Sequence, residues 1–272
     1  MTLHLRYQTA SKVPVEVEGI TPDRVRELNL DEIRALPIFH GNRKVTLGEF
    51  FDISGDPTDG EMHWEGDLSG VHWIGAKMAA GKMVITGNAG RHVGSEMSAG
   101  EIQVHGDASD WVGGEMKGGF IHVRGRAGHL IGAAYRGSAR GRTGGTILID
   151  GDVGNEVGHT MRRGMLAVGG NVGDLVGFNM LAGSIFVFGT AGIRHGAGMR
   201  RGTIGFFGNE SPAMLPTFKH ACRSQPDVMP LLFRQLRQQG FHVPDELFRS
   251  SFDLFNGDLI EGGRGEILLR AN

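Results

Sequence analysis

Hydrophobic and polar residues alternate in short runs that recur along the middle of the chain. Each run opens with two apolar residues separated by one position, as in Met83/Ile85 and Ile102/Val104. This period of two predicts a short β-strand with one buried face. A second apolar column lies directly before a glycine in the middle of each run. Its members are Ile74, Val93, Val112, Ile131, Val157 and Val176.

Glycine marks the period of the repeat. From Gly87 onward, glycine recurs with steps of seven, six and six positions, so one full unit spans nineteen positions. Two units are longer: the unit that opens with EMHWEG has two extra residues, and the unit that opens with FIHVRG has seven. The chain has 46 glycines among 272 residues, well above the average share of about 7%. We therefore expect these glycines at defined bends, where the backbone needs a positive φ.

A unit of about 20 residues with a strand and a bend for each glycine is typical of a parallel β-helix. Each unit is expected to form three short strands, with equivalent side chains stacked about 4.8 Å apart. A left-handed hexapeptide helix would step by six residues throughout, and the constant step of seven argues against it. The sequence therefore predicts a mostly β protein, a right-handed parallel β-helix of about eight coils.

The two ends of the chain lack the repeat and are expected to cap it. Residues 1–60 combine strand-like segments with a helix signal at Thr21, and should form a small α/β N-terminal cap. Residues 61–208 form the glycine-repeat β-helix. Residues 209–272 include MPLLFRQLRQQG, a helix that ends at Gly240, and are expected to form a helical C-terminal cap.

A third column, three residues after the middle glycine, is almost entirely methionine. Thioether side chains fill irregular core space well, whereas a metal role for thioethers in separate stacked units is improbable. We therefore interpret this column as structural core. Its members are Met78, Met97, Met116, Tyr135, Met161, Met180 and Met199.

Composition excludes several classes of function. The formal net charge is −2, from 28 basic and 30 acidic residues, which argues against a nucleic-acid partner. The single cysteine, Cys222, excludes an internal disulfide and a cysteine-ligated cluster. The sequence shows no signal-like start and no apolar run that would place it in a membrane. We therefore expect a cytoplasmic protein.

The repeat shows no pattern typical of catalysis or metal binding. Its histidines do not share one column and have no ligand spacing. His195 replaces the apolar residue before a middle glycine and is expected to be a buried core histidine. No G-x-S-x-G motif is present, and Cys222 lies in no known catalytic signature. The sequence therefore predicts neither a catalytic residue nor a metal ligand in this chain.

Arginine supplies 22 of the 28 basic residues. The segment with the seven-residue insertion brings together Arg136, Arg140 and Arg142, while Arg162–Arg163 and Arg200–Arg201 share one column before the third glycine. Guanidinium groups bind carboxylates in a bidentate manner, and insertions in a solenoid tend to lie on its binding face. Arg136, Arg140 and Arg142 are therefore candidates for binding an acidic ligand. A solvated or partner-paired set of charges remains the alternative.

The repeat and its flanks resemble a known family. The glycine steps of seven, six and six are similar to the repeat domain shared by the C-terminal region of glutamate synthase large subunits and the C subunit of formylmethanofuran dehydrogenase. The segments VPVEVEGITPD, LPIFHGNRKVTLGEFFDISGD and FRSSFDLFNGDLIEGGRGEILL favour the C subunit. The resemblance covers essentially the whole chain, and the arginine-rich composition favours the C subunit of the bacterial formyltransferase/hydrolase complex.

The resemblance implies a role in one-carbon metabolism, in the formaldehyde degradation of methylotrophy. In the bacterial complex a formyl group passes from formyl-tetrahydromethanopterin to a methanofuran-type carrier and is released as formate. The implied partners, in a hetero-oligomer, are an amidohydrolase-like A subunit, a B subunit and a formyltransferase D subunit, and catalysis is expected in these sister chains. This chain is implied to be a scaffold that binds no cofactor alone. The resemblance also implies that the glutamate-rich tail of the carrier could contact the arginines of this chain at the level of the complex.

Three alternatives stay open. A tungsten or molybdenum formylmethanofuran dehydrogenase would use a similar C subunit, because the residues that decide the chemistry lie in other chains. A stand-alone β-helix enzyme would need Asp, Lys or Arg clustered on one strand face, and a secreted origin. A free-standing repeat domain like that of glutamate synthase would share the coils but not the flanking segments.

Overall fold

A computed structural model describes residues 2–9 and 11–271. Over these residues the protein is mostly β, with a 13-stranded sheet and a four-stranded sheet. Three α-helices are present, α1 (Pro22–Val25), α2 (Leu30–Arg34) and α3 (Val228–Gln238). The strands in chain order are β1 (Leu3–Tyr7), β2 (Val15–Glu16), β3 (Pro37–His40), β4 (Arg43–Thr46), β5 (Phe51–Ser54), β6 (Glu61–Glu65), β7 (Val71–His72), β8 (Lys82–Ile85), β9 (Glu101–Val104), β10 (Phe120–Val123), β11 (Thr146–Ile149), β12 (Met165–Val168), β13 (Ser184–Val187), β14 (Gly202–Phe206), β15 (Lys219–Ser224), β16 (Phe252–Gly257) and β17 (Gly265–Arg270).

Each repeat unit contributes one regular strand to a parallel ladder. Strands β6 and β8 to β14 pair in chain order, and the register never shifts: Ile102 lies beside Ile121, and Ile147 beside Leu166. Each repeat unit of the sequence therefore forms one row of this ladder. We call this ladder and its bends the repeat stack.

The other two expected strands of each unit are reduced to weaker lines of contact. One line consists of isolated parallel bridges, such as Val153 beside Val172. The other is held by single main-chain hydrogen bonds, as from Gly113 N to Val93 O at 2.8 Å. The extended backbone is interrupted here because the residue before the second apolar column, Trp111 for example, has a positive φ of 67°.

The core of the repeat stack lies along the buried columns. The inward side chains of the strands and the residues before the middle glycines are buried throughout. The six methionines of the third column are each fully buried, and Tyr135, the exception in that column, is half-buried. His195 is also buried, 4.8 Å from the ring of Phe206, and its Nδ1 accepts a hydrogen bond from Val176 N.

Both ends of the chain add a row to the ladder. Strand β1 pairs in parallel with β6, and β17 pairs in parallel with β14, where Ile267 lies beside Ile204. The expectation of a helical C-terminal cap is therefore wrong: the described part of this segment, residues 209–271, holds one 11-residue helix and three strands. The reason is that GEILLR continues the two buried columns of β14 and so covers the last row of the core.

The N-terminal segment contains both helices and strands, and its helical part differs from the sequence-based expectation. The single helix suggested by TPDRVRELNLDEIRALP is two short helices, α1 and α2. The second helix starts afresh because Asn29 and Glu32 form a capping box. Strands β2, β3, β4 and β7 form the four-stranded sheet.

Helix α3 packs on the outer face of the stack rather than across its end. It ends where expected, with Gly240 at a φ of 78° following the C-cap. Its residues Met229, Phe233 and Leu236 contribute to a second core on the outward side chains of the later strands. Strands β11 to β14 are consequently buried on both faces, whereas β8 and β9 are buried on one face only.

Candidate functional site

The three arginines of the insertion segment do not form one surface. Arg136 and Arg140 are exposed, but Arg142 is fully buried, so the prediction that all three face an acidic ligand needs correction at Arg142. The Arg142 guanidinium donates to the carbonyl oxygens of Met165, at 2.8 Å, and Gly144, at 3.0 Å. It also donates to Gly145 O. Burial lowers the pKa of Arg142 to about 9.

The burial of Arg142 has a structural explanation. Its main-chain N–H bonds to Gly132 O, and its own carbonyl accepts from Arg162 N at 2.9 Å. These bonds hold the end of the insertion in the stack between two regular units. The guanidinium then donates to carbonyl oxygens on both sides of this junction, Gly144 and Gly145 at the end of the insertion and Met165 at the start of β12. We interpret Arg142 as the internal anchor of the insertion.

The exposed arginines come together on the bends before the third glycines. A groove on this side of the stack is lined by Arg162, Arg163, Arg200 and Arg201, with Leu181 and Ala182 between the two pairs. The main-chain bonds from Leu181 N to Met161 O and from Arg200 N to Met180 O, both 2.8 Å, place these bends in consecutive rows. Two arginine rows are thus separated by one apolar row.

A fifth arginine completes the groove, and it was not predicted from the sequence. The parallel pairing of β14 with β17 puts Gly265 beside Gly202, so Arg264 follows Arg201 in the next row. We call the five residues Arg162, Arg163, Arg200, Arg201 and Arg264 the arginine groove. The signal was present: RGEILL repeats the arginine–glycine–strand order of RRGTIGF and RRGMLAV.

Most of these guanidiniums have no acidic partner. Arg200 Nε donates to Glu261 Oε2 at 3.0 Å, at the rim of the groove. Among the residues that the structure describes, the other four make no ion pair. Arg140 lines an adjoining pocket together with Arg200 and Glu261. Arg140 therefore lies beside the arginine groove, while Arg136 lines neither pocket.

An aromatic column on the earlier bends was likewise not predicted from the sequence. Trp73 stacks on His92 with ring centroids 3.9 Å apart, and His92 lies 5.9 Å from Trp111. Tyr135 packs against all three rings. Burial lowers the pKa of His92 to about 4 and raises that of Tyr135 to about 12, so both groups are neutral at physiological pH. The available signal was the spacing of one full repeat unit from Trp73 to His92 and again to Trp111.

Within residues 2–9 and 11–271, no three His, Cys, Asp or Glu side chains converge in a way that could hold a metal ion. None of the helices described is long and apolar enough to cross a membrane.

Curated relatives match the chain over a limited region. The C subunit of molybdenum-containing formylmethanofuran dehydrogenase 1 from Methanothermobacter thermautotrophicus is 44% identical over 80 residues, 29% of this chain and 20% of that protein. The C subunit of tungsten-containing formylmethanofuran dehydrogenase 2 from Methanothermobacter wolfeii is 39% identical over 86 residues, 30% of this chain and 32% of that protein. The matches thus span a third or less of these relatives. No family model matches the chain.

A solved structure extends the likeness to the full length. A chain in the crystal structure of the formyltransferase/hydrolase complex (FhcABCD) from Methylorubrum extorquens, in complex with methylofuran, superposes with a TM-score of 0.89. The two chains are 30% identical, and the superposition covers 99% of this chain and 100% of the other. The chain belongs to the C-subunit family of formylmethanofuran dehydrogenase.

Membership in the C-subunit family confirms the resemblance drawn from the glycine steps and the flanking segments. The coverage of 99% shows that the likeness to the bacterial complex includes both ends of the chain. It therefore extends to β17, the strand that brings Arg264 into the arginine groove.

Proposed function

We propose that this member of the C-subunit family is a non-catalytic scaffold in a formyltransferase/hydrolase complex. That complex would move a formyl group from formyl-tetrahydromethanopterin to a methanofuran-type carrier and release formate in formaldehyde oxidation. The observation that carries the proposal is the full-length superposition on a chain of the complex that contains methylofuran. Catalysis is assigned to an amidohydrolase-like A subunit and a formyltransferase D subunit, with a B subunit as a further partner.

The repeat stack suits a scaffold, and we infer that it is a right-handed parallel β-helix over residues 61–208, capped by residues 1–60 and 209–272. The unshifted parallel ladder supports this inference, since each row is hydrogen-bonded to the rows on both sides. The step of seven residues in the units from Gly87 onward supports the handedness. Because the rows cannot slip without exposing every inward side chain, surface groups on different bends keep fixed distances from one another.

Two exposed arginines are assigned to a contact within the complex. Arg136 and Arg140 are proposed to bind either the acidic tail of the carrier or an acidic patch on a sister subunit. Their exposure and lack of an internal ion pair among the described residues support this role. Arg142 is excluded from it by burial. Replacing Arg136 and Arg140 by Ala should raise the KM for the carrier or weaken assembly; unchanged values of both would refute the contact.

Co-expression with the three proposed sister subunits tests the scaffold role. We expect one stable complex that releases formate from the formylated carrier, and loss of that complex when this chain is omitted. A complex that assembles and turns over equally well without the chain would overturn the proposal. So would a chain that purifies alone from its native host.

The second candidate is the C subunit of a tungsten- or molybdenum-containing dehydrogenase, which the partial matches favour. Elemental analysis of the native complex separates the two. Stoichiometric tungsten or molybdenum, together with electron transfer from the formyl carrier to a dye, would support the dehydrogenase. Formate release in a complex with neither metal would support the hydrolase.

A further inference from the structure

We propose that the arginine groove binds an extended acidic segment of a partner protein that runs along the axis of the stack. The inference rests on the proposed role within a complex, because a partner must supply the segment. It concerns the four arginines before the third glycines together with Arg264, not the exposed arginines of the insertion.

The charge of the groove calls for an anionic partner. Five guanidiniums lie in three of four consecutive rows, and no acidic residue is among those that line this groove. Like charges on neighbouring rows repel each other and lower the stability of the folded chain. The chain has 30 acidic residues that could neutralise them, yet among the residues that the structure describes only Glu261 pairs with one, Arg200. Carboxylates on a bound partner would offset this repulsion and accept charge-assisted, bidentate hydrogen bonds from the guanidiniums.

The spacing of the arginines fits an extended polypeptide. Rows of a sheet lie about 4.8 Å apart, so Arg163 and Arg201, two rows apart, are separated by roughly 10 Å along the axis. A polyproline II segment rises about 3.1 Å per residue with three residues per turn, so every third side chain returns to the same face after about 9 Å. A segment with an acidic residue at every third position would therefore place successive carboxylates on successive arginine pairs.

The walls of the groove favour a peptide over a nucleic acid. Leu181 and Ala182 form an apolar floor between the arginine pairs. Beside the groove, Leu259 and Ile260 are 51% and 78% exposed, next to Glu261, the partner of Arg200. Apolar side chains between the acidic ones could pack on these residues, whereas bases need aromatic platforms on which to stack. No aromatic side chain is among the residues lining the groove.

Fluorescence anisotropy on the full-length chain tests the proposal. The probe is a dye-labelled peptide of Glu-Pro-Ala repeated four times, and the comparison peptide has the same composition with its glutamates in one block. The repeat should bind about fivefold more tightly than the block, because Pro preorganises its spacing. The R163A/R201A variant should lose about tenfold in affinity. The R43A/R249A variant, which removes the same charge from exposed sites elsewhere, should stay within about twofold of wild type.

Three results would overturn the proposal. Equal affinity of R163A/R201A and wild type would remove the groove from the interaction. Equal affinity for the two peptides would refute the extended register. Tighter binding of inorganic polyphosphate or a single-stranded RNA than of the repeat peptide, lost in R163A/R201A, would assign the groove to phosphate. These measurements use the chain alone, so they can fail while the co-expressed complex still assembles and releases formate, and the reverse also holds.

Discussion

The two halves of the repeat stack share one backbone pattern but differ in what covers the outward side chains. In the earlier half the outward residues of β6, β8 and β9 are half-exposed, as at His63 and Gln103. In the later half the outward residues are apolar and buried, as at Leu148 and Phe186, because α3 and its neighbours lie on them. The comparison shows that the repeat sets the inner core only. The outward position of each strand decides whether a second layer can pack there.

The bends of the two halves also carry different groups, at different positions of the repeat unit: the aromatic column lies before the middle glycines and the arginine pairs before the third glycines. On the earlier bends, Trp73, His92 and Trp111 form a stacked aromatic column. On the later bends, the pairs Arg162–Arg163 and Arg200–Arg201 form the arginine groove with Arg264. Main-chain bonds of the same kind link the bends in both regions. A regular stack can therefore present different chemical groups on different rows.

The largest expected effect comes from removing the second layer. Phe233 in α3 is fully buried against Phe207 and Phe248, so Phe233→Ala should cost about 3–5 kcal/mol of unfolding free energy. Leu231 on the same helix is 60% exposed, and Leu231→Ala should stay within about 0.5 kcal/mol. Urea unfolding measures both. In the Phe233→Ala variant, amide hydrogen exchange should become faster in β11 to β14, while β8 and β9 stay protected. Equally faster exchange in both halves would contradict the comparison.

The next effect acts on the stack itself. A Cβ at Gly202 would lie 2.6 Å from Gly183 O in the preceding row, at a φ of +98°. We expect Gly202→Ala to cost about 2–4 kcal/mol, from backbone strain and displacement of that row.

Gly137 in the insertion is the matched control for Gly202. It has a φ of +86° and no atom within 4 Å of an added Cβ. Gly137→Ala should therefore lose only the unfolding free energy that the positive φ costs a residue with a Cβ, about 1 kcal/mol. Equal losses of unfolding free energy in the two variants would mean that close stacking of the rows contributes nothing.

The inner core could be predicted from the sequence because it repeats. The glycine period, the apolar columns and the buried methionines all follow from side chains that recur at one spacing. Residues outside the repeat could not be placed in this way. Arg142 looked like its exposed neighbours, and only the path of the insertion shows that it points inward. Arg264 joins the groove through the long-range pairing of Gly202 with Gly265, and the likeness of RGEILL to RRGTIGF was the sequence signal for it.

The position of α3 was partly predictable from the sequence. The outward strand residues change from Val84 and Gln103 to Leu148, Ala167 and Phe186 along the chain. This change indicates that a second layer covers the later strands, although the helix was expected only as an end cap. Its exact position depends on contacts with residues far apart in sequence, such as Phe207 and Phe252.

A smaller effect should follow from releasing the end of α3. Arg124 Nη1 donates to Gly240 O at 2.9 Å and lies 3.3 Å from Asp150 Oδ2, joining the helix end to the stack. Arg124→Ala should cost about 1 kcal/mol of unfolding free energy. Arg126 lies on the same unit as Arg124 and forms an exposed ion pair with Asp107 of the preceding unit. Arg126→Ala should change the unfolding free energy by less than about 0.5 kcal/mol. Equal effects in urea unfolding would show that Arg124 does not hold α3.

The smallest effect is a pH dependence confined to the aromatic column of the earlier half. Desolvation, with the nearby His72 and Arg91, lowers the pKa of His92 to about 4, and Asp110 only partly opposes this. In the unfolded chain a histidine has a pKa near ~6.5. As the pH falls from about 6.5 to about 4, the unfolded chain therefore binds a proton that folded His92 does not, and stability is lost over that window.

The His92→Phe variant isolates this contribution. Phe keeps a ring between Trp73 and Trp111, and no described group bonds to the buried His92 Nδ1, so little else is lost. Between pH 6.5 and 4 the variant should lose less stability than wild type, by at most about 1 kcal/mol once solvent screening of this half-exposed site is allowed for. His242→Gln, at an exposed position, should keep the wild-type slope. Parallel slopes for wild type and His92→Phe in thermal unfolding would show that the stacked ring titrates like a solvated one, and that the aromatic column is looser than its geometry implies.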